Sequence, residues 1–198
     1  MAVWKIEESV EFFSETLIVN PLISHPNQQL QHLAGRYLLK LLYPDFPLQL
    51  IQIAASRKPF LPNHPYYFSI SHCDGYAAAI VSKGYGVGID IERITTRVDK
   101  VKHKFLDPSE LAEWRIEVLQ DREQMKTLTL LWSCKEAIFK WWGRGDIDFS
   151  KSMLIRANAL SQEGLLEARF LKGDIETKLS LNYQLKNGLS LVWVFKET

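Results

Sequence analysis

Two carboxylates one residue apart, Asp90 and Glu92, stand in the run Gly84-Tyr-Gly-Val-Gly-Ile-Asp-Ile-Glu92. In a strand alternate residues face one side, so Gly88, Asp90 and Glu92 share a face and Val87, Ile89 and Ile91 share the other. Two carboxylates about 6.5 Å apart repel unless something positive lies between them. A divalent cation is one such thing, and hard oxygen ligands favour magnesium or calcium over zinc. Taken alone, a solvated strand face beside Arg93 is the simpler reading. A second charged pair, Glu136 and Lys140, lies in Leu131-Trp-Ser-Cys-Lys-Glu-Ala-Ile-Phe-Lys-Trp-Trp-Gly-Arg-Gly145. On a helix these two share a face, which suits a third oxygen ligand and a phosphate donor, with Arg144 on the Gly-x-Gly turn beyond. The same spacing suits a capping box followed by an ordinary surface ion pair.

Other chemistries are weaker. Ser71-His72-Cys73 closes a strand without the G-x-S-x-G elbow of a serine hydrolase, and adjacent Cys and His would point to opposite strand faces. The glycines before Asp90 form G-x-G-x-G continuing along a strand, not G-x-G-x-x-G opening a helix, so a dinucleotide fingerprint is excluded. Lys100, Lys102, His103 and Lys104 form a basic cluster, read as a solvated face or as a patch for an acidic partner.

These residues need elements to hold them. Leu30, Leu33, Ala34, Leu38, Leu41 and Leu42 recur at helical spacing, which predicts a helix over 28–43 ended by Pro44 and Pro47. A short strand is expected over 49–54, a turn or extended loop over 58–62, and a hairpin of 68–71 with 76–82 around Asp74-Gly75. A strand over 85–91 and a short helix over 100–106 follow. Asp107-Pro-Ser-Glu110 has the form of a capped helix start. Ser133-Cys-Lys-Glu136 reads as another, opening a helix through Trp142 that Gly143 terminates. Strands fill the C-terminal stretch, the clearest pair flanking Asn187-Gly188.

The 198 residues are 46% hydrophobic and 24% charged, enough apolar material for a packed core. With 24 basic and 23 acidic residues the net charge is +1, so no global field points to nucleic acid or an anionic membrane. Two cysteines, Cys73 and Cys134, make neither a disulfide framework nor a multi-cysteine zinc cluster. The opening residues lack a signal peptide's basic flank and apolar stretch, and no apolar run approaches the ~20 residues of a membrane span. A cytoplasmic protein is expected, in two α+β units that meet near Gly84.

In their order, Phe68-Ser-Ile-Ser-His-Cys73, Gly88-Ile-Asp-Ile-Glu92, Phe105-Leu-Asp-Pro-Ser-Glu110 and Trp132-Ser-Cys-Lys-Glu-Ala-Ile-Phe-Lys140 with Gly143-Arg-Gly145 resemble the 4′-phosphopantetheinyl transferases. The likeness is to the larger, surfactin-type branch and runs from about Leu33 to Gly145, with Lys58-Pro59 also fitting. It implies an α+β fold of two similar lobes related by a pseudo-twofold, residues 1–85 and 86–198, in a monomer. It also implies a holo-[acyl-carrier-protein] synthase activity, dependent on magnesium or manganese. Phosphopantetheine would pass from coenzyme A to a serine of an apo acyl or peptidyl carrier protein, releasing adenosine 3′,5′-bisphosphate.

By the same resemblance Asp90, Glu92 and Glu136 match the metal ligands and Lys140 the lysine that contacts the phosphates, with Lys135 beside the site. Ser71 and His72 match the pair holding coenzyme A phosphates, and Lys58 lies where the family grips the adenosine end. Glu110 matches a glutamate cast as general base for the carrier serine; Glu136, directly or through a metal-bound water, is its rival. Pro26-Asn-Gln-Gln-Leu30 lacks the basic residues that relatives carry there, leaving Arg36 and Lys58 for the 3′-phosphate. Cys73 stands where relatives often have Ser. A non-catalytic coenzyme A or carrier-binding module is the alternative, and a hydrolase acting on another pyrophosphate is a third reading.

Overall fold

The computed structural model describes residues 1–17, 25–63 and 66–197. The chain runs β1 (Ala2–Lys5), α1 (Val10–Thr16), α2 (Pro26–Leu42), β2 (Gln52–Ile53), β3 (Pro59–Phe60), β4 (Tyr67–Cys73), β5 (Tyr76–Ser82) and β6 (Tyr85–Arg93). It continues through α3 (Lys102–Phe105), α4 (Pro108–Glu113), α5 (Asp121–Trp142), α6 (Phe149–Ser152), β7 (Met153–Ile155), β8 (Glu163–Lys172), β9 (Ile175–Lys186) and β10 (Leu189–Glu197). Helix and sheet are mixed, as expected of the α+β class. Three strands form one antiparallel sheet in the order β1-β5-β4, and five form a second in the order β6-β10-β9-β8-β7. Among the described residues no helix is long and apolar enough to cross a membrane.

Alternation along β5 explains how the layers stack. Ala77 and Ala79 face Leu33, Ala34, Leu38 and Leu39 of α2, together with Phe13 and Phe46. Ala78 and Ile80 face the other way, onto Val87, Ile89 and Ile91 of β6 and Leu189 and Leu191 of β10. The apolar face expected of β6 is therefore core, but its acidic face is not solvated. It lies under α5, and Asp90 is only 2% exposed.

Gly88 makes that approach possible. A Cβ added there would stand 2.0 Å from the Ala137 carbonyl oxygen and 2.7 Å from the Trp141 nitrogen, both on α5. Those are backbone atoms, so the helix itself would have to move. Gly88→Ala is expected to cost about 3 kcal/mol, the upper end of overpacking, and to lower the melting temperature by roughly 6–12 °C. A calorimetric melt within 2 °C of the parent chain, on the order of 1 kcal/mol or less, would contradict this close packing.

Serines join the sheets. The backbone N–H groups of Ile89 and Ile91, on the edge of β6 away from β10, donate to Ser69 Oγ and Ser71 Oγ of β4, each at 3.2 Å. Alternate side chains of one strand thus satisfy the free edge of another, and the same register sets Ser71 beside Asp90.

Several local expectations hold. The β9–β10 turn uses Asn187 and Gly188 at φ 55° and 72°, the two positive values a type I′ hairpin requires. Asp107 and Glu110 form a reciprocal capping box on α4. The helix over 100–106 resolves into a 3-10 turn and α3, and the strand over 49–54 shrinks to β2. One expectation needs correcting. The long helix starts at Asp121, and Ser133 lies inside it, wholly buried, with no hydrogen bond on its hydroxyl. Thr127, Leu128, Leu130, Leu131 and Cys134 are all buried with it, so tertiary packing carries the helix past a cap-like tetrapeptide.

Candidate functional site

Asp90 on β6, Ser71 on β4 and Lys140 on α5 meet at one point. The Lys140 ammonium donates to Asp90 Oδ1 (2.6 Å) and to Ser71 Oγ (2.8 Å). Ser71 Oγ donates to the same Asp90 oxygen at 2.9 Å while accepting from Ile91 N–H. Instead of closing on Glu136 four residues back, Lys140 makes its ion pair, among the described residues, with a carboxylate on the facing strand. The plain intrahelical reading of Glu136 and Lys140 therefore gives way to a contact between the two sheets' elements. Asp90 Oδ2 is buried and has no hydrogen-bond partner. A buried carboxylate oxygen left bare is costly and marks a place for a cation or a strong donor.

Glu92 and Glu136 lie within the field of Asp90. Burial, then the charge on Asp90, pushes Glu92 up to about 7, with Glu136 adding to the rise and the Trp132 indole opposing it. Burial also raises Glu136, where the Lys140 charge opposes and the Asp90 charge adds. Trp132 Nε1 donates to Glu92 Oε1 at 3.3 Å. Three expected ligands thus share one electrostatic neighbourhood. Among the described residues, however, no three His, Cys, Asp or Glu side chains are gathered tightly enough to hold an ion. The cation at Asp90 Oδ1 is the Lys140 ammonium. The donor set still suits a hard dication: three carboxylates, one bare buried oxygen, and mutual repulsion that such an ion would relieve.

Two histidines and an arginine lie beside this cluster. Helix α2 comes so close to β4 that a Cβ on Gly35 would meet Ile70 Cγ2 at 2.6 Å, and Gln31 Nε2 donates to the Cys73 carbonyl at 3.2 Å. That approach puts His32 and Arg36 near His72. Burial, then the charges of Arg36 and His72, pushes His32 down to about 4. Burial lowers Arg36 to about 10, and His72 is held below the ordinary imidazole range by burial and by Lys140. His32 was not among the expected site residues; its signal was the i,i+4 spacing to Arg36 on one helix face. Cys73 is no nucleophile at neutral pH, since burial and Glu92 push its thiol up to about 12.

Lys58 belongs to the far end of α5. Its ammonium donates to the Trp141 carbonyl at 3.3 Å, and Ser56 Oγ donates to the Gly143 carbonyl at 2.6 Å, so the loop before β3 caps the helix C-terminus. Burial lowers Lys58 to about 8. The same lysine borders a groove of about 710 Å³ with Phe60, Tyr67, Trp141, Trp142 and Arg144, whose guanidinium lies 4.8 Å from the Trp142 ring centre.

Two expected site residues fall elsewhere. Lys135 is 0% exposed and Glu110 2% exposed, and they pair with each other at 2.5 Å on the side of α5 facing α4. Lys135 has no exposed surface, whereas Glu110, though buried, borders a groove of about 780 Å³ with Ser109, Glu113 and Leu154. Of the basic cluster, Lys102 is tied to Asp99 (3.1 Å) and Glu117 (2.8 Å), while His103 and Lys104 are exposed beside an apolar groove of about 990 Å³.

Residues 86–189 match the family model described as ACPS, 4′-phosphopantetheinyl transferase superfamily, a span that holds Asp90, Glu92, Glu136 and Lys140. No curated protein matches the chain.

Proposed function

The chain belongs to the 4′-phosphopantetheinyl transferase superfamily, and on that premise we propose that it moves phosphopantetheine from coenzyme A onto a serine of an apo acyl or peptidyl carrier protein. The observation that carries this reading is the Lys140 ammonium held at once by Ser71 and Asp90, beside two further carboxylates and a bare buried oxygen. A diphosphate and its counter-ion need that alternation of fixed positive and negative groups.

In the reaction the carrier serine oxygen forms a bond to the phosphorus next to pantetheine. The bond from that phosphorus to the bridging oxygen breaks, and the electron pair leaves with adenosine 3′,5′-bisphosphate. Glu136 takes the serine proton. Burial raises its pKa, which strengthens it as a base. Lys140 turns from Asp90 to the phosphate oxygens and offsets their developing charge. His72 and Arg36 hold a phosphate, and His32, uncharged at neutral pH, donates a hydrogen bond beside them. The groove of Lys58, Tyr67, Trp142 and Arg144 takes the adenine end by stacking. Asp90, Glu92 and Glu136 would hold magnesium or manganese, which when bound neutralises the diphosphate and stabilises the leaving oxygen.

The carrier docks at the groove of Phe105, Trp132, Phe139 and Phe149, rimmed by exposed His103 and Lys104. Trp132 forms its wall and donates to Glu92, so this surface leads to the carboxylates. Exposed Asp146 and Asp148 line the same groove, so an acidic carrier helix meets it at the His103 and Lys104 side. Residues 1–85 and 86–198 are read as two lobes related by a pseudo-twofold, as in the surfactin-type branch, acting as a monomer in the cytoplasm.

Incubation with coenzyme A, magnesium and an apo carrier, followed by intact-mass measurement, tests the reading. The expected result is a carrier heavier by one phosphopantetheine. Binding of coenzyme A without that gain would instead make the protein a non-catalytic binding module, and coenzyme A cleavage without a carrier would make it a hydrolase.

A further inference from the structure

Lys135 sits between Cys134 and Glu136 on α5 and is wholly shut away from solvent. Its ammonium donates to Glu110 Oε2 at 2.5 Å and to the Phe149 carbonyl at 3.1 Å. Glu110 in turn accepts from Ile155 N–H on Oε1 (2.8 Å) and from Asp107 N–H on Oε2 (3.1 Å). The Trp114 indole donates to the Ile155 carbonyl at 2.9 Å. One buried node therefore ties α4, α5, α6 and β7 together.

Stability alone does not call for such a pair, because apolar side chains of similar volume often replace buried ion pairs without loss. What the charges add is direction. Several short, oriented bonds permit one rotation of α5 about its axis, where apolar packing tolerates a range. Successive helix residues are about 100° apart, so the rotation that satisfies Lys135 also fixes Glu136, and Lys140 one turn on. Lys140 and Gly88 lie where α5 touches β6, so a small rotation there moves the ammonium off Asp90.

We propose that Glu110 and Lys135 are positioning residues: bound to each other, they hold α5 at the rotation that aims Glu136 and Lys140 at Asp90. The kinetic consequence rests on the transferase reading above; the geometric one does not.

The test uses the full chain, with Glu110→Gln, Lys135→Met and the two combined. The Trp132 indole N–H, which bridges α5 to Glu92, serves as a reporter in proton–nitrogen correlation spectra, assigned by Trp132→Phe. Each single variant is expected to shift that resonance, and the double variant to return it near its original place. Assayed well below their melting points, the single variants are expected to lose about ten- to hundredfold in kcat with the KM for coenzyme A little changed. The double variant regains kcat to within about fivefold and keeps the midpoint of its rise with pH.

A double variant still down by about a thousandfold, with that rise gone, makes Glu110 the proton acceptor and overturns the proposal. Folded single variants with unchanged kcat and an unmoved Trp132 resonance reduce the pair to a structural one and overturn it too. If a single variant does not fold, the double variant against the parent decides. If the parent transfers nothing, the transferase reading fails, and the Trp132 spectra alone still decide the geometry.

Discussion

Asp90→Asn is expected to slow carrier modification by about a thousandfold while leaving the fold intact. The change is nearly isosteric. The amide oxygen still accepts from Ser71, whose hydroxyl is also fixed by Ile91 N–H, so the seam between β4 and β6 survives. What goes is one negative charge at the centre of the site: the partner of Lys140 and the residue carrying the bare buried oxygen. A second effect has its own sign. Glu92 stands at about 7, above the ordinary carboxylate value, with Asp90 the largest cause after burial. A group whose folded pKa is raised gives stability that is full below its unfolded value, roughly 4.3, and lost as pH rises through its folded value. Through Glu92 the parent chain loses stability to urea from pH 5 to pH 8, against the opposite contribution of His32, held at about 4. Asp90→Asn should therefore gain more stability than the parent between those two pH values. Carrier mass spectrometry reads the first effect and urea melts at two pH values read the second. A variant that modifies its carrier at the parent rate would remove Asp90 from the chemistry.

Much of this arrangement was legible because it is local. Strand alternation alone separates Val87, Ile89 and Ile91 from Gly88, Asp90 and Glu92, and the structure buries the first set in the core between β5 and β10. Turn chemistry at Asn187-Gly188 and capping chemistry at Asp107 were equally direct, since each depends on residues a few positions apart. Failures came where burial outweighed local preference. Ser133-Cys-Lys-Glu136 has the residue types of a helix start, yet a row of apolar residues upstream continues the helix to Asp121. Lys135 looked like a neighbour of Glu136 in function as in sequence. On a helix adjacent residues point about 100° apart, and that step separates a buried pair from the open cluster. The contacts of Glu110 are hidden for the same reason, since Lys135 and Ile155 are distant in sequence. In the sequence Gly88 is one glycine of a G-x-G-x-G run; only the packed helix shows that its missing side chain is what admits α5.

Lys140→Ala is expected to move two measurements in opposite directions, which no purely structural role would do. In turnover, removing a fixed charge at a phosphate costs about 3 kcal/mol, or a hundred- to thousandfold in kcat. In cation binding the effect is a gain. The ammonium sits 2.6 Å from Asp90 Oδ1, so a divalent ion near Asp90 meets both a competitor and a repelling charge. Two unit charges 4 Å apart interact by about 4 kcal/mol at an effective dielectric of 20. Lys140 is 25% exposed at its side chain, so solvent screens part of this, and a tenfold rise in manganese affinity, about 1.4 kcal/mol, is the expected remainder. Titration with manganese, followed by electron paramagnetic resonance of the free ion, measures it without any turnover. Lys140→Arg keeps the charge, and with it the weak manganese binding of the parent. The broader guanidinium no longer fits the single oxygen of Ser71, so that variant should recover only part of kcat. A Lys140→Ala chain with parental manganese affinity and parental kcat would return the contact with Asp90 to an ordinary ion pair, and the three carboxylates would lose the group that links them to a phosphate.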